Sequence, residues 1–241
     1  MNKNYFDLHF YKHLKNTNDQ IKHIYKLHKK KSNIALYCIE QEEGRGRKNR
    51  EWISKKGDLT CSFLIEKKIN INDLGKVNLF TIYYLVKIFN ELGISKNISY
   101  KWPNDILINK KKIAGVLIET NVSNNLINKL IVGIGINFLP KSNNSEFSSI
   151  SLNEIGNKSD PLQFFFLLIE NFNLFIDNFS EIEFEILSKN LSEIFFKKES
   201  KVVINLGKQN VEGIFEKINS SGEILLRNMG KQLRVNYGEI I

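Results

Sequence analysis

Several features that mark particular classes of protein are scarce or absent in this chain of 241 residues. It has two cysteines, Cys38 and Cys61, and each lies in an apolar, strand-like run, which predicts buried free thiols rather than a metal site. No run approaches the length of about 18 apolar residues that a membrane span needs. Residues 1–15 also lack the sustained apolar stretch of a secretory signal. We therefore expect a cytoplasmic protein with no membrane partner.

Histidine is equally sparse, and all four copies lie near the amino end: His9, His13, His23 and His28. His9 and His13 have the spacing of a zinc-protease helix, but no glutamate follows His9, as that motif requires. We expect surface or packing roles for these side chains and predict no metal bound by the protein.

The formal net charge of +9 raises the question of nucleic-acid binding, since clustered lysine and arginine attract phosphates. The lysines are spread along the chain, however, with only short clusters at 29–31, 110–112 and 197–198. We interpret the charge as a solvated, mildly basic surface and expect no nucleic-acid partner. The alternative to this interpretation is a protein of a different functional class, a basic nucleic-acid-binding protein without enzymatic activity.

The spacing of apolar residues predicts both helices and strands. Helical spacing and capping signals predict helices over 17–30, 73–92, 161–179 and 181–195. Short β-rich runs predict strands over 34–40, 58–66, 98–102, 106–108, 113–120 and 129–138, with a strand or extended segment at 5–15. Residues 139–160 are rich in serine and asparagine and predict a loop. From residue 201 on, short apolar runs alternate with turn signals, which indicates a small β-barrel of four or five strands.

Residues 44–50, called here the glycine–arginine loop, alternate glycine with arginine at their start: Gly44, Arg45, Gly46 and Arg47. Glycine lets the backbone approach a ligand closely. Arginine presents a forked set of donors that matches a phosphate or a carboxylate. Such a loop can close over an anion; an exposed basic hairpin loop is the alternative for this fragment alone.

A second motif is Lys101-Trp102-Pro103-Asn104-Asp105, which a polar turn and Lys112 follow. An amine that attacks an acyl phosphate must be neutral, and a carboxylate such as Asp105 can guide it and accept its proton. Forming an acyl phosphate needs positive charge at the reacting phosphate, for which Lys112 is the candidate. A solvated hairpin turn is the alternative for Lys110–Lys112 alone.

The third motif, Gly133-x-Gly135-x-Asn137, lies in a strand-like run. It is not a dinucleotide fingerprint, because no third glycine opens a helix. Glycines inside a strand indicate that another backbone or a ligand comes close. Tight sheet packing is the other interpretation.

These motifs, in this order, resemble the catalytic module of biotin–protein ligases, and the resemblance extends over residues 8–241. It implies an α+β fold, with a mixed β-sheet and packed helices in a catalytic domain of residues 1–196. An SH3-like β-barrel of residues 197–241 would follow. The implied reaction uses ATP, with Mg²⁺, to convert biotin into biotinyl-5'-AMP. A lysine of a biotin carboxyl carrier protein then receives the biotin.

The resemblance also implies roles for individual residues. Catalytic roles fall on Lys112, Arg45 and Asp105. The implied biotin-binding residues are Asn16, Thr17, Asn18, Gln41, Arg45, Gly46, Arg47, Lys112 and Gly115. The implied nucleotide-binding residues are Arg47, Arg50, Trp52, Lys101, Asn104 and Asn137. The chain departs from the family pattern at three positions: Asn16 replaces serine, Glu43 replaces a small residue, and Asn49 replaces glycine.

Two further expectations follow from the resemblance. A lipoate or octanoate ligase of the same superfamily is the alternative enzyme, and the succession of the glycine–arginine loop and the Lys101–Asp105 motif favours biotin. Some family members carry an amino-terminal helix-turn-helix and repress transcription. Because this chain begins almost at the catalytic module, we expect no repressor role, and we expect a monomer or a homodimer.

Overall fold

The computed structural model of the protein describes residues 5–28, 32–94, 97–140 and 148–241. In chain order the helices and strands are β1 (Phe6–Leu14), α1 (Thr17–Leu27), β2 (Asn33–Gln41), β3 (Leu59–Ile65), β4 (Ile69–Asn70), α2 (Leu74–Glu91), β5 (Ile98–Lys101), β6 (Asp105–Ile108), β7 (Lys111–Ser123), β8 (Leu126–Ile136), α3 (Pro161–Asn178), α4 (Phe184–Glu193), β9 (Lys201–Asn205), β10 (Asn210–Ile218), β11 (Ile224–Asn228), β12 (Lys231–Val235) and β13 (Glu239–Ile240). They form two compact units: Met1–Ile71 with Lys111–Ile182, and Asn72–Lys110 with Glu183–Ile241.

The first unit is built on a sheet with the strand order β1-β2-β3-β8-β7, and the short β4 pairs with β8. β1 and β2 run parallel, whereas the other pairs are antiparallel. Parallel neighbours need a crossover connection, and α1 supplies it. The sheet is therefore mixed and carries helices, which confirms the predicted fold class.

The two faces of this sheet bury different helices. Successive side chains of a strand point to opposite faces, so that Phe63 and Leu64 of β3 serve different layers. Leu64 belongs to the apolar cluster under α1, together with Ile21. Phe63 contacts α3, with ring centroids 5.7 Å from Phe165 and 4.5 Å from Phe172. Burial on both faces holds the strands in register, because a slip of one residue would exchange the two layers.

The second unit combines the β5–β6 hairpin, α2, α4 and a five-stranded antiparallel sheet with the order β12-β11-β10-β9-β13. Trp102, in the turn of the hairpin, is buried and donates its indole N–H to the carbonyl oxygen of Gly222 at 3.0 Å. The first turn of α2 packs against the same β10–β11 turn. A Cβ at Gly75 would collide there with the carbonyl oxygen of Ser221, so the close contact requires glycine.

Several predicted boundaries differ from the observed ones. α1 ends at Leu27, because His28 has extended backbone angles; residues 29–30 of the predicted helix lie outside the described residues. α4 begins at Phe184 rather than at 181, because Phe179–Glu181 forms a 3-10 turn and Ile182 is extended. The lysine cluster 29–31 and part of the predicted loop, 141–147, also lie outside the described residues.

The predicted barrel corresponds to the antiparallel sheet of β9–β13. Within the described residues 201–241, no pairing joins the edge strands β12 and β13, so closure into a barrel stays a prediction. The predicted domain boundary between residues 196 and 197 also stays a prediction. Over the part of the chain that the structure describes, no helix has the length and apolar character needed to cross a membrane.

Three of the amino-terminal histidines pair with carboxylates. His9 Nε2 lies 3.1 Å and His28 Nε2 lies 3.6 Å from Oδ2 of Asp7, and His13 Nδ1 lies 3.1 Å from Glu40. The ligand-capable atoms of Asp7, His9 and His28 lie within 4.8 Å of one another. The contact between His28 and Asp7 connects the end of α1 to β1. The expectation that no metal is bound stays a prediction.

The aromatic layer gives a direct test of the packing. Phe165 and Phe166 are neighbours in α3, but Phe165 is fully buried whereas Phe166 is 44% exposed. Phe165→Ala should lower the free energy of unfolding by about 3–5 kcal/mol, because it leaves a cavity against Phe63 and Tyr37. Phe166→Ala should cost about 1 kcal/mol or less. Urea unfolding monitored by circular dichroism measures both free energies. Equal losses of stability in the two variants would contradict the assignment of Phe165 to the buried layer between the sheet and α3.

Candidate functional site

The glycine–arginine loop forms a narrow hairpin between β2 and β3. Gly46 N–H donates to the carbonyl of Arg50 at 2.6 Å, and Trp52 N–H donates to the carbonyl of Gly44 at 2.8 Å. At its tip, Lys48 and Asn49 have φ values of 55° and 58°. Asparagine adopts this left-handed conformation more readily than most residues. The departure at Asn49 from the family's glycine is therefore compatible with the turn.

Trp52 ends this hairpin and lies against two glycines of the sheet. Gly115 on β7 pairs directly with Gly135 on β8. A Cβ at Gly135 would lie only 2.6 Å from Nε1 of Trp52, and one at Gly115 would lie 3.1 Å from its Cζ3. The feature that comes close to these strand glycines is therefore an aromatic side chain, which neither sequence interpretation included.

Lys112 lies at the edge of the same glycine pair. Its Nζ is 5.2 Å from the centroid of the Trp52 ring, a distance at which the ammonium and the ring attract each other. The backbone of Lys112 is held by residues 148–150. Its N–H donates to the carbonyl of Ser148 and its carbonyl accepts from the N–H of Ile150, both at 3.0 Å. The side chain is thus a half-buried cation on a rigid strand, not a mobile turn residue.

Asn137 supports this strand from beneath. Its side-chain amide donates to the carbonyls of Lys112 and Ile150, each at 3.2 Å, and only 4% of the residue is exposed. The observed role of Asn137 is to hold residues 148–152 against the start of β7. Its predicted contact with a nucleotide stays a prediction.

The start of α1 gathers the predicted biotin-binding residues on the same face of the sheet. Asn16 caps the helix by accepting from Asp19 N–H at 3.1 Å, so the serine-to-asparagine exchange keeps a capping side chain. The backbone N–H and the hydroxyl of Thr17 both donate to Oε1 of Gln41, at 2.8 and 3.0 Å. Asn16, Thr17 and Gln41 are all buried.

Both ends of the Asn18 side-chain amide make hydrogen bonds. Its Oδ1 accepts from the Ser62 hydroxyl at 2.6 Å, and its Nδ2 donates to Glu119 at 2.7 Å. Gly133 makes this position possible, because a Cβ there would lie 2.5 Å from Asn18 Oδ1. A buried amide with both ends fixed is well ordered for recognising a polar ligand.

Arg45 of the glycine–arginine loop reaches back to α1. Its Nη1 and Nη2 donate to the two carboxylate oxygens of Asp19, at 2.6 and 2.8 Å. The hydrogen bonds that Arg45 donates to Asp19 hold the pKa of the Asp19 carboxyl below its usual value and raise the pKa of the Arg45 guanidinium. Both groups are therefore ionised at neutral pH. Lys22 adds a second cation, 3.2 Å from Asp19 and 3.0 Å from Glu119.

The first unit therefore brings together the predicted residues at the start of α1, in the glycine–arginine loop and on β7 and β8. Lys101, Asn104 and Asp105 belong to the second unit, where Lys101 and Asp105 face each other across the β5–β6 hairpin. The Lys101 Nζ lies 5.9 Å from the Phe196 ring centroid. The roles predicted for these three residues stay predictions.

Asp19, Ser62 and Glu119 contact the predicted site residues, but sequence reasoning gave them no role. Glu119 had an available signal, because Gly115, residue 117 and Glu119 alternate along one face of β7. Asp19 had none, since an acidic residue in the first turn of a helix is common for its favourable dipole interaction alone.

Residues 10–137 match the sequence model of the biotin/lipoate A/B protein ligase family, and the chain belongs to this family. Over 204 residues it is 28% identical to the biotin–[acetyl-CoA-carboxylase] ligase of Paracoccus denitrificans, covering 80% of this chain and 84% of that one. Over 209 residues it is 26% identical to the bifunctional ligase/repressor of Escherichia coli, covering 83% and 63%. The Aquifex aeolicus biotin protein ligase in complex with biotin and ATP has a TM-score of 0.78 at 26% identity, covering 98% of this chain and 97% of that one.

Fluorescence can test the contact between the Trp52 ring and Gly135. Gly135→Ala should displace the Trp52 ring, because the added methyl group would overlap it. We expect a red-shifted emission and stronger quenching by acrylamide. Trp102 is the second tryptophan of the chain and is buried, so its signal is separated by repeating the substitution in a Trp52→Phe background. A shift that persists in that background would contradict the assigned contact.

Proposed function

We propose that this protein is an ATP-dependent biotin–protein ligase that forms biotinyl-5'-AMP and transfers biotin to a lysine of a biotin carboxyl carrier protein. The observation that carries the proposal is the arrangement in one unit of Lys112, the cationic loop and the polar start of α1, around the Gly115–Gly135 pair. The similarity to a ligase that binds biotin and ATP extends over almost the whole chain, which supports the same substrates here.

The polar start of α1 suits the ureido head of biotin. A ureido group offers both donors and acceptors, which amide and hydroxyl side chains can match. Asn18, Thr17, Asn16 and Gln41 provide these groups. Before ligand arrives, Thr17 is bonded to Gln41, Asn18 to Ser62, and Asn16 to the carbonyl of Glu43. Preorganisation of this kind reduces the entropic cost of binding.

In the first step, the biotin carboxylate attacks the α-phosphate of ATP, which gives biotinyl-AMP and pyrophosphate. ATP enters as its Mg²⁺ complex, in which the cation shields the phosphate charge. Lys112 supplies a fixed positive charge where negative charge develops on the reacting phosphate. Arg45 and Arg47 of the loop pair with the remaining anionic oxygens.

In the second step, the loop retains the intermediate until the carrier lysine attacks its acyl carbon and AMP leaves. Retention matters because biotinyl-AMP acylates any accessible amine and is hydrolysed by water. Movement of the loop about its glycines would admit substrates and then exclude solvent.

Lipoate is the alternative substrate, because the matching family includes lipoate ligases. The Paracoccus denitrificans relative and the Aquifex aeolicus structure are biotin ligases, and the amides at the start of α1 favour a polar ring head over a dithiolane. A monomeric or dimeric state, and a cytoplasmic location, stay predictions.

Lys112→Ala should reduce the formation of biotinyl-AMP by about 10²- to 10³-fold, as expected for the loss of one preorganised charge donor. The measurement is pyrophosphate release in a single turnover with biotin and Mg²⁺-ATP. Lys111→Ala is the matched control, because Lys111 is the exposed neighbour on the same strand. Unchanged pyrophosphate release in the Lys112 variant would refute its role, and absence of biotinyl-AMP from the unaltered protein would refute the proposed function.

Arg45→Gly should separate making the intermediate from holding it. The variant should still form biotinyl-AMP, with weaker biotin binding, but should release it into solution. Labelling of a bystander protein such as albumin should then rise relative to labelling of the carrier. Lys48→Gly is the control, since it removes an exposed loop cation where glycine accepts the positive φ. If Arg45→Gly stays carrier-specific at matched turnover, the loop does not retain the intermediate.

A further inference from the structure

The contact between Asp19 and Arg45 connects the glycine–arginine loop to a helix. Asp19 lies in the first turn of α1, and both of its carboxylate oxygens accept hydrogen bonds from Arg45. This paired geometry fixes the plane of the guanidinium as well as its position. It uses two of the five N–H donors that an arginine carries, so the group keeps donors for an anionic ligand.

The acceptor side of this contact is rigid. Lys22, one turn along α1, bonds to Asp19 and also to Glu119 on β7. Glu119 in turn accepts from the buried Asn18 and lies 3.8 Å from Nη2 of Arg45. Asp19 is therefore held between a helix and a strand. Of the groups that meet here, Arg45 is the one carried by a hairpin loop.

We propose that Asp19 is a positioning residue: it orients the Arg45 guanidinium and limits the opening of the glycine–arginine loop. It touches neither substrate nor intermediate, and it affects retention of the adenylate through Arg45. The effect on the adenylate rests on the proposed function, whereas the restraint on the loop does not.

An isolated ion pair at a surface contributes little to global stability, typically about 1 kcal/mol or less. Arg45 and Asp19 have side chains that are 38% and 48% exposed, so a large loss of global stability is not expected when the pair is removed. The consequence should be local. Loss of the pair should increase the population of the open loop by about fivefold, because the free energy that such a pair contributes corresponds to about that ratio of open to closed populations.

The first arm of the test needs no ligand. The loop contains four trypsin sites, at Arg45, Arg47, Lys48 and Arg50. Limited trypsin digestion of the whole protein should cut this loop about fivefold faster in Asp19→Asn than in the unaltered chain. Asp19→Glu, which keeps the carboxylate, should restore most of the protection. Equal cutting rates in all three proteins would overturn the proposal.

Asp73→Asn is the matched control for this arm. Asp73 immediately precedes α2, and it pairs with Lys76 at 2.8 Å with the same three-residue spacing that joins Asp19 to Lys22. The control therefore removes a carboxylate near a helix start and its lysine pair, but leaves Arg45 untouched. If Asp73→Asn accelerates cutting of the loop as much as Asp19→Asn does, the effect is general loosening and the proposal fails.

The second arm measures release of the adenylate. With biotin and Mg²⁺-ATP, Asp19→Asn should raise bystander labelling in the same direction as Arg45→Gly, but by a smaller factor. The double variant Asp19→Asn/Arg45→Gly should release no more than Arg45→Gly alone, because Asp19 acts through that arginine. Additive effects would overturn the proposal. If the unaltered protein forms no biotinyl-AMP, the proposed function fails, and the trypsin arm still decides whether Asp19 restrains the loop.

Discussion

Two facing glycines set how closely other groups can approach the sheet, and the arrangement of the site depends on them. Gly115 and Gly135 are direct partners in the β7–β8 pair, so the sheet has no side chains at these two positions. The Trp52 ring occupies the space, and the Lys112 Nζ lies over this ring. Because Trp52 closes the glycine–arginine hairpin, the position of the Trp52 ring against the two glycines also fixes where that hairpin leaves the sheet.

Two residues earlier on β8, a second glycine likewise leaves room for a side chain from another element. Gly133 gives room to Asn18, which Ser62 and Glu119 hold from either side. The alternate glycines of one strand thus place an aromatic ring and an amide side by side on one face. The charges are arranged around them, with Lys112 near the ring, and with Asp19 and Glu119 balanced by Arg45 and Lys22 near the amide. An anionic acyl-adenylate would meet cations that carboxylates already hold in position.

The strands and helices of this fold were predictable from the sequence because they depend on local patterns, and the order of the motifs can be read from the sequence directly. The short apolar run around Ile131–Asn137 belongs to a strand that is buried on both faces, and the helical spacing around Phe165 marks the buried face of α3. Local patterns of apolar residues report both kinds of burial directly. The end of α1 was misplaced by about one turn, since the break arises from the backbone of His28 and not from a glycine or proline. Contacts between distant segments were less accessible. Nothing in the local sequence connects Asp19 to Arg45 or Trp52 to Gly135, because these pairs form only after the strands are in register.

Calorimetric titration with biotin and then with lipoate, each with and without ATP, tests the central claim most directly. The account predicts that biotin binds alone through the preorganised amides at the start of α1. It further predicts that ATP binds far more tightly once biotin is present, because the loop then closes over both ligands. Binding of lipoate without any binding of biotin would leave the family assignment standing but would contradict the proposed substrate.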